Sequence, residues 1–302
     1  MNKAIRYYTY AALSMLFWGL TFIWFKQANT IYNPITIIFL RLVISSVLLF
    51  GFGFLFKKIE KIKKKDYKWF LLLALTQPFF YFLGESFGLH LVSSTVASAI
   101  IATIPLFSPL AAIWFTREKV SVFIWLGIIC SFSGILIMLV NPDLSLNAAP
   151  TGIALLFFAV FSAVAYSIII KKLSGNYSAL TIITGQNMIG ALYFLPLFGI
   201  FGFGELISVI PDNRTIVAMI QLSVFGSCLA YLFFIIAVAN LGMVKANIFT
   251  NLIPVFTAVF AYLILREEFS VQKVTGIIMV VSGIVISQIK EIYTLFRRTV
   301  QS

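Results

Sequence analysis

The chain has 302 residues, 61% of them hydrophobic and only 11% charged, with a mean hydropathy of +1.03. Soluble domains carry roughly 25% charged residues, so this composition excludes a water-soluble globule and leaves an all-α membrane-embedded unit. The net charge of +12 does not point to nucleic acid, because the cations stand in the gaps between apolar runs and do not gather on one folded face.

A spanning helix needs about 20 predominantly apolar residues, each rising about 1.5 Å through a hydrocarbon core of about 30 Å. Ten segments qualify in chain order: Tyr7 to Ala28, Pro34 to Phe56, Trp69 to Leu91, Thr95 to Thr116, Val122 to Val140, Gly152 to Ile170, Ser178 to Phe201, Thr215 to Asn240, Ala246 to Leu265 and Val274 to Ile289. The first exceeds a signal peptide's apolar core of roughly 7 to 15 residues and reads as a retained helix. The longest polar insert, Lys57 to Lys68, reads as a loop. Cys130 and Cys228 fall inside apolar runs and read as small buried hydrophobes, with no disulfide, metal or cofactor implied.

With the amino terminus inside, 17 of the 22 Lys and Arg residues fall on the cytoplasmic side. They are Lys3 and Arg6, the seven lysines between the second and third spans, Arg117 and Lys119, Lys171 and Lys172, Lys245, and Lys290, Arg297 and Arg298. The opposite loops are nearly free of cations, so the positive-inside bias puts both termini in the cytoplasm.

Sliding the chain by 149 residues superposes Ala97 to Ile137 on Ala246 to Ile286 without a gap, with 16 of 41 positions identical. Pro105 meets Pro254, Arg117-Glu118 meets Arg266-Glu267, Gly127 meets Gly276 and Gly134 meets Gly283. A weaker match at a shift of 145 aligns Thr36-Ile37-Ile38 with Thr181-Ile182-Ile183 and Arg41 with Gln186. Five spans per copy is an odd number, so the second copy enters the bilayer from the other side. The predicted architecture is therefore ten transmembrane helices as two inverted five-helix repeats, residues 1–145 and 146–302, forming one integral unit around a central cavity. Inverted repeats are characteristic of secondary transporters, whose substrate sites lie near the midplane between the copies.

The run Phe17-Trp18-Gly19 followed by Lys26, the stretch Thr36 to Arg41, and the series Ala97, Pro105, Arg117-Glu118, Gly127 and Gly134 with its second copy resemble the EamA-type permeases of the drug/metabolite transporter superfamily. The resemblance spans nearly the whole chain. It implies a ten-helix basket in a cell membrane (the bacterial inner membrane) that moves small metabolites such as amino acids, usually outward, by alternating access. Trp18-Gly19 meets only Ala163-Val164 in the second copy, so no role passes from the first helix to the sixth.

Pro105 and Pro254 each remove an amide donor at a matched place, as a gating hinge or as a structural kink. Asn247 and Asn251, four apart on one helical face, and Ser98 and Thr103 on the matching helix are cavity-lining candidates, with hydrogen bonding to neighbouring helices as the alternative. Arg41 and Glu85 are expected to form an intramembrane pair, since an unpaired charge at the bilayer centre costs about 2.5–3.5 kcal/mol or more. Glu85 has a second possible role in coupling or substrate binding. Trp18, Tyr81, Tyr166 and Tyr231 offer rings that stack on a substrate, and Gln77, Gln186 and Asn187 offer orienting hydrogen bonds. Lys26 and His90 read as interfacial residues.

Composition makes the lipid bilayer a partner and points to no nucleic acid, the resemblance implies a small-molecule substrate, and the sequence requires no oligomer. Two competing functions stay open. An intramembrane enzyme lacks its usual signs here, with one histidine and no zinc-ligand pair or phosphate-cradling glycine loop. An ungated channel needs a continuous polar ring that these sparse polar positions do not supply.

Overall fold

The computed structural model describes residues 3–107, 121–140, 148–241, 249–268, 270–287 and 289, which are helical apart from turns and short connections. Seven helices are long and apolar enough to cross a bilayer: α1 (Ile5–Ala28), α2 (Pro34–Leu55), α3 (Lys64–Leu91), α5 (Val122–Leu139), α6 (Pro150–Ile170), α7 (Ala179–Phe201) and α8 (Asn213–Ala237). Three shorter apolar helices complete the set: α4 (Ser94–Phe107), α9 (Phe249–Leu265) and α10 (Val271–Ser287). The end predicted for the fourth segment and the start predicted for the ninth lie outside the described residues.

Helix starts are written in small polar residues. Asn33 caps α2 through Oδ1, which accepts from the Thr36 amide at 3.0 Å, with Pro34 in the first turn. Ser93, Ser121 and Ser178 serve α4, α5 and α7 in the same way, and Asp212 serves α8. Each cap satisfies one of the amides that a helix leaves unpaired at its start.

The packing exchanges the two sequence copies. Three helices of the second copy lie against their own counterparts, α7 on α2, α9 on α4 and α10 on α5, while α1 packs on α8 as α3 packs on α6. Two of these matched pairs, α2 with α7 and α5 with α10, run antiparallel. Along α5 and α10, Gly127 faces the Gly283 carbonyl and Gly134 faces the Gly276 carbonyl. Along α2 and α7, Thr36 lies beside Gly202, Ser45 bonds Asn187, and Gly53 approaches Leu180.

Close approach accounts for the glycines of this seam. A Cβ on Gly127 would stand 2.5 Å from the Gly283 oxygen, and one on Gly134 would stand 2.6 Å from the Gly276 oxygen. Small residues let helix backbones meet in lipid, where no hydrophobic force drives helices together.

Two further features repeat between the copies. The Glu60 carboxylate accepts from the Ser178 amide at 2.8 Å, at the start of α7. The Glu205 carboxylate, on the short helix Phe203–Ser208, accepts from the Asn33 amide at 3.0 Å and the Thr36 hydroxyl at 2.7 Å, at the start of α2. Glutamates 145 residues apart thus hold opposite ends of one helix pair.

The other shared feature is interruption. Within α3 the segment Leu75–Phe80 is π-helical and Gln77 is extended, with φ −145° and ψ 119°, just before Pro78. Within α8 the segment Leu222–Leu229 is likewise π-helical. A serine of the opposite copy's first helix meets each break: Ser162 of α6 donates to the Thr76 carbonyl at 2.7 Å, and Ser14 of α1 donates to the Ala230 carbonyl at 2.6 Å. The Thr76 carbonyl also accepts from the Tyr81 amide, and Ala230 is the first residue of regular helix after the α8 break, so each serine adds a side-chain bond beside a break.

Candidate functional site

The two interruptions face a cluster of polar and aromatic side chains drawn from both halves. Arg41, on α2, is 3% exposed; its Nε donates to Ser227 Oγ at 3.0 Å, and its guanidinium carbon stands 4.2 Å from the centre of the Phe82 ring. The ring face offers negative quadrupole density to a cation that water no longer solvates. Ser227 belongs to the broken stretch of α8, and its carbonyl also accepts from Asn187 Nδ2 at 3.3 Å. The same amide donates to Ser45 Oγ at 3.1 Å, which ties α2, α7 and α8 at one level.

One turn along α8 from Ser227, the Tyr231 hydroxyl accepts from Gln77 Nε2, so the extended residue in the α3 break reaches across to α8. Trp18 of α1 packs edge-on against Tyr231, with ring centres 5.1 Å apart. Trp18 is half-buried and also meets the Phe234 ring, with centres 5.1 Å apart.

Below the α3 break, Tyr81 donates to Glu85 Oε1 at 2.8 Å. Among the described residues this is the hydrogen bond that Glu85 makes. Arg41 lies within electrostatic range of Glu85, Tyr81 and Tyr231. No ion pair within 4.0 Å joins Arg41 to Glu85 among the described residues. The two charges therefore sit as separated poles, each already held by a neutral partner. Tyr166 donates to Gln186 Oε1 at 3.0 Å and lies within electrostatic range of Tyr231.

The sequence candidates divide accordingly. Trp18, Arg41, Gln77, Tyr81, Glu85, Tyr166, Gln186, Asn187 and Tyr231 come together. Ser98 and Thr103 are fully buried and spend their hydroxyls on the Thr95 and Ile100 carbonyls of their own helix. Asn251 is buried at the start of α9, its Oδ1 without a hydrogen-bond partner among the described residues. Asn247 lies outside the described residues. Pro105 follows a turn that ends the regular helix of α4 at Ile101, and Pro254 sits in the first turn of regular helix in α9, after the 3-10 turn Phe249–Asn251. His90 is exposed and contacts Asn29, in keeping with an interfacial place.

Ser45, Phe82, Ser227 and the α8 break escaped the sequence reading. Serine and phenylalanine are too common in membrane helices to stand out. Pro78 was the available signal for the α3 break; the α8 break contains no proline and had none of its own.

Comparison with known proteins agrees with the motif order read above. The chain matches the EamA-like transporter family over residues 5–140 and again over 150–288. An uncharacterized transporter of Archaeoglobus fulgidus is 24% identical over 283 residues, covering 93% of this chain and 96% of its own length. The uncharacterized transporter YetK of Bacillus subtilis is 26% identical over 83% of this chain and 77% of its own. A WAT1-related chloroplastic protein of Arabidopsis thaliana is 26% identical over 86% of this chain and 64% of its own. One solved crystal structure superposes with a TM-score of 0.68 over 97% of this chain and 98% of that one at 15% identity, a likeness of fold.

Proposed function

The chain belongs to the EamA-like transporter family, and from that premise we propose that it is a secondary transporter that carries small polar metabolites, amino acids among them, out of the cell by alternating access. The protein is a multi-pass membrane protein of a transporter family, in contact with lipid along its apolar helices. The reading adds that ten helices span the membrane as two inverted halves, 1–145 and 146–302, with both termini in the cytoplasm. Antiparallel packing of α2 on α7 and of α5 on α10 supports the inversion, because each pair consists of the same helix from the two copies. The cation bias of the loops supports the orientation and a bacterial inner membrane location.

The observation that carries the function is the placement of opposite charges between two interrupted helices. Arg41 and Glu85 stand near one another without closing into an ion pair, among amides and aromatic rings from both halves. Interrupted helices near the repeat interface are where transporters bind substrate. In this reading Arg41 receives a substrate carboxylate and Glu85 an ammonium, Gln77 and Asn187 orient the solute, and Trp18 and Tyr231 pack on its apolar part. Between turnovers the two charges face one another across the empty site. Pro105 and Pro254 supply matched points of bending.

The test is counterflow in liposomes loaded with an unlabelled amino-acid mixture. Saturable uptake of labelled amino acid is expected, abolished by Arg41→Ala in protein that keeps its elution profile and thermal stability. Conductance that does not saturate would identify a pore, and chemical turnover without translocation an enzyme; either refutes the proposal.

A further inference from the structure

Away from the Arg41 cluster, a cavity of about 290 Å³ opens where α2 ends and α3 and α7 begin. Phe50 of α2, Ile59 and Lys61 of the connection, Tyr67 of α3, and Thr184 and Met188 of α7 are among the residues that line it. Glu60 also reaches this wall, but its carboxylate is taken by the Ser178 amide at 2.8 Å. The remaining acid of the connection, Asp66, is buried and accepts from the Tyr177 hydroxyl at 2.8 Å.

Lys61 lines the cavity, and it is one of seven exposed lysines within the twelve residues of this connection, with Lys57, Lys58, Lys63, Lys64, Lys65 and Lys68. None forms an ion pair among the described residues, since both nearby carboxylates are committed elsewhere. Trp69 and Tyr67 mark the level of the membrane interface, where such rings concentrate, and Lys172 Nζ lies 3.6 Å from the Trp69 ring centre. On the membrane side of the opening, Val47 and Phe50 of α2 and Met188, Leu192 and Leu195 of α7 are all exposed.

We infer that this groove is a binding site for one anionic phospholipid, its phosphate held by Lys61 and the neighbouring lysines and an acyl chain laid along Phe50, Met188 and Leu192. The size fits: at about 30 Å³ per water the cavity holds roughly ten waters' volume, room for a headgroup and glycerol with the chains outside. Charge complementarity selects the anion, as basic pockets between membrane helices do. The apolar side wall selects a lipid over a free anion. Loop cations that served only to orient the chain would need no groove, no interfacial ring level and no exposed apolar track beneath them. The site bridges the Glu60–Ser178 contact, so an occupant would clasp the two halves of the chain together. This inference requires a membrane protein but not the transport reading, and a failure of one leaves the other standing.

Native mass spectrometry of the full chain in neutral detergent tests it, with phosphatidylglycerol and phosphatidylcholine of identical acyl chains as probes. Phosphatidylglycerol is expected to bind at least tenfold more tightly with a stoichiometry of one. Lys58→Gln combined with Lys61→Gln should reduce that preference threefold or more, leave phosphatidylcholine binding unchanged and preserve the elution profile. Arg214→Gln, at the start of α8, should change nothing. Equal binding of the two lipids, full preference in the lysine variant, or displacement of the lipid by millimolar inorganic phosphate would each overturn the assignment.

Discussion

Replacing Gly127 by alanine tests the helix seam most directly. The added methyl would stand 2.5 Å from the Gly283 oxygen, 2.7 Å from Ser287 Cβ and 3.0 Å from the Ser287 amide nitrogen. Two of those three atoms are backbone of α10, so no side chain can swing aside. Ordinary contact begins near 3.4 Å, and α10 would have to withdraw by roughly 0.9 Å over at least a turn. Overpacking of this kind costs about 1–3 kcal/mol, while exchanging glycine for alanine within a helix returns up to about 1 kcal/mol. The net loss expected is on the order of 1 kcal/mol. Gly51, in α2, provides the control, because a methyl there would meet nothing within 4 Å. Gly51→Ala should therefore stabilise by up to about 1 kcal/mol, which separates the two variants by about 2 kcal/mol, or roughly thirtyfold in the folding equilibrium. Unfolding both in mixed detergent and SDS micelles, followed by tryptophan fluorescence, measures the gap. If Gly127→Ala unfolds together with Gly51→Ala, the antiparallel seam of α5 and α10 is wrong.

The remaining predictions concern the breaks, the cluster and the caps. Ser14→Ala and Ser162→Ala should each cost about 1 kcal/mol, as the loss of one intramolecular hydrogen bond does, and their effects should add, since they act at different breaks; equal stability of the wild type and the double variant would refute the matched role. Glu85→Gln should keep the Tyr81 hydrogen bond and the fold while lowering saturable counterflow at least tenfold, and full activity would remove Glu85 from the site. Arg41→Lys should fold but transport poorly, because a point charge replaces the planar fork that lies on Phe82 and bonds Ser227; wild-type rates would argue against carboxylate recognition there. A cysteine at Lys61 and one at Asp212, each placed in a chain lacking Cys130 and Cys228, should react with impermeant maleimide from opposite sides of the membrane, and labelling from one side would refute the inverted arrangement.

Much of this architecture was legible in the residues because lipid narrows the choices. An apolar run of spanning length is a helix, and the duplicated Gly127 and Gly276, Gly134 and Gly283 marked the seam that the helices share. Arg41 and Glu85 stood out for a related reason, since charge inside a membrane is rare and must be compensated. What the sequence did not disclose is how those charges are held. The expected direct pair is instead two local contacts, Arg41 to Ser227 and Glu85 to Tyr81, made by residues too ordinary to notice. Attention also fell on Pro105 and Pro254, while the breaks that face the cluster lie at Leu75–Phe80 and Leu222–Leu229. In the second of these a π-turn widens the helix without a proline, a distortion that packing imposes and composition does not announce.

The glutamates at positions 60 and 205 have a mechanical consequence. Each fastens the start of one helix in the pair α2 and α7, and they do so at opposite ends. A slip along the common axis by one residue, about 1.5 Å, acts on both tethers alike: in one sense it would stretch both beyond bonding distance, and in the other it would drive both carboxylates into the amides they hold. Longitudinal shear between these two rods is therefore resisted in both directions, so in the transport cycle proposed above this pair would keep its register while the helices around it move.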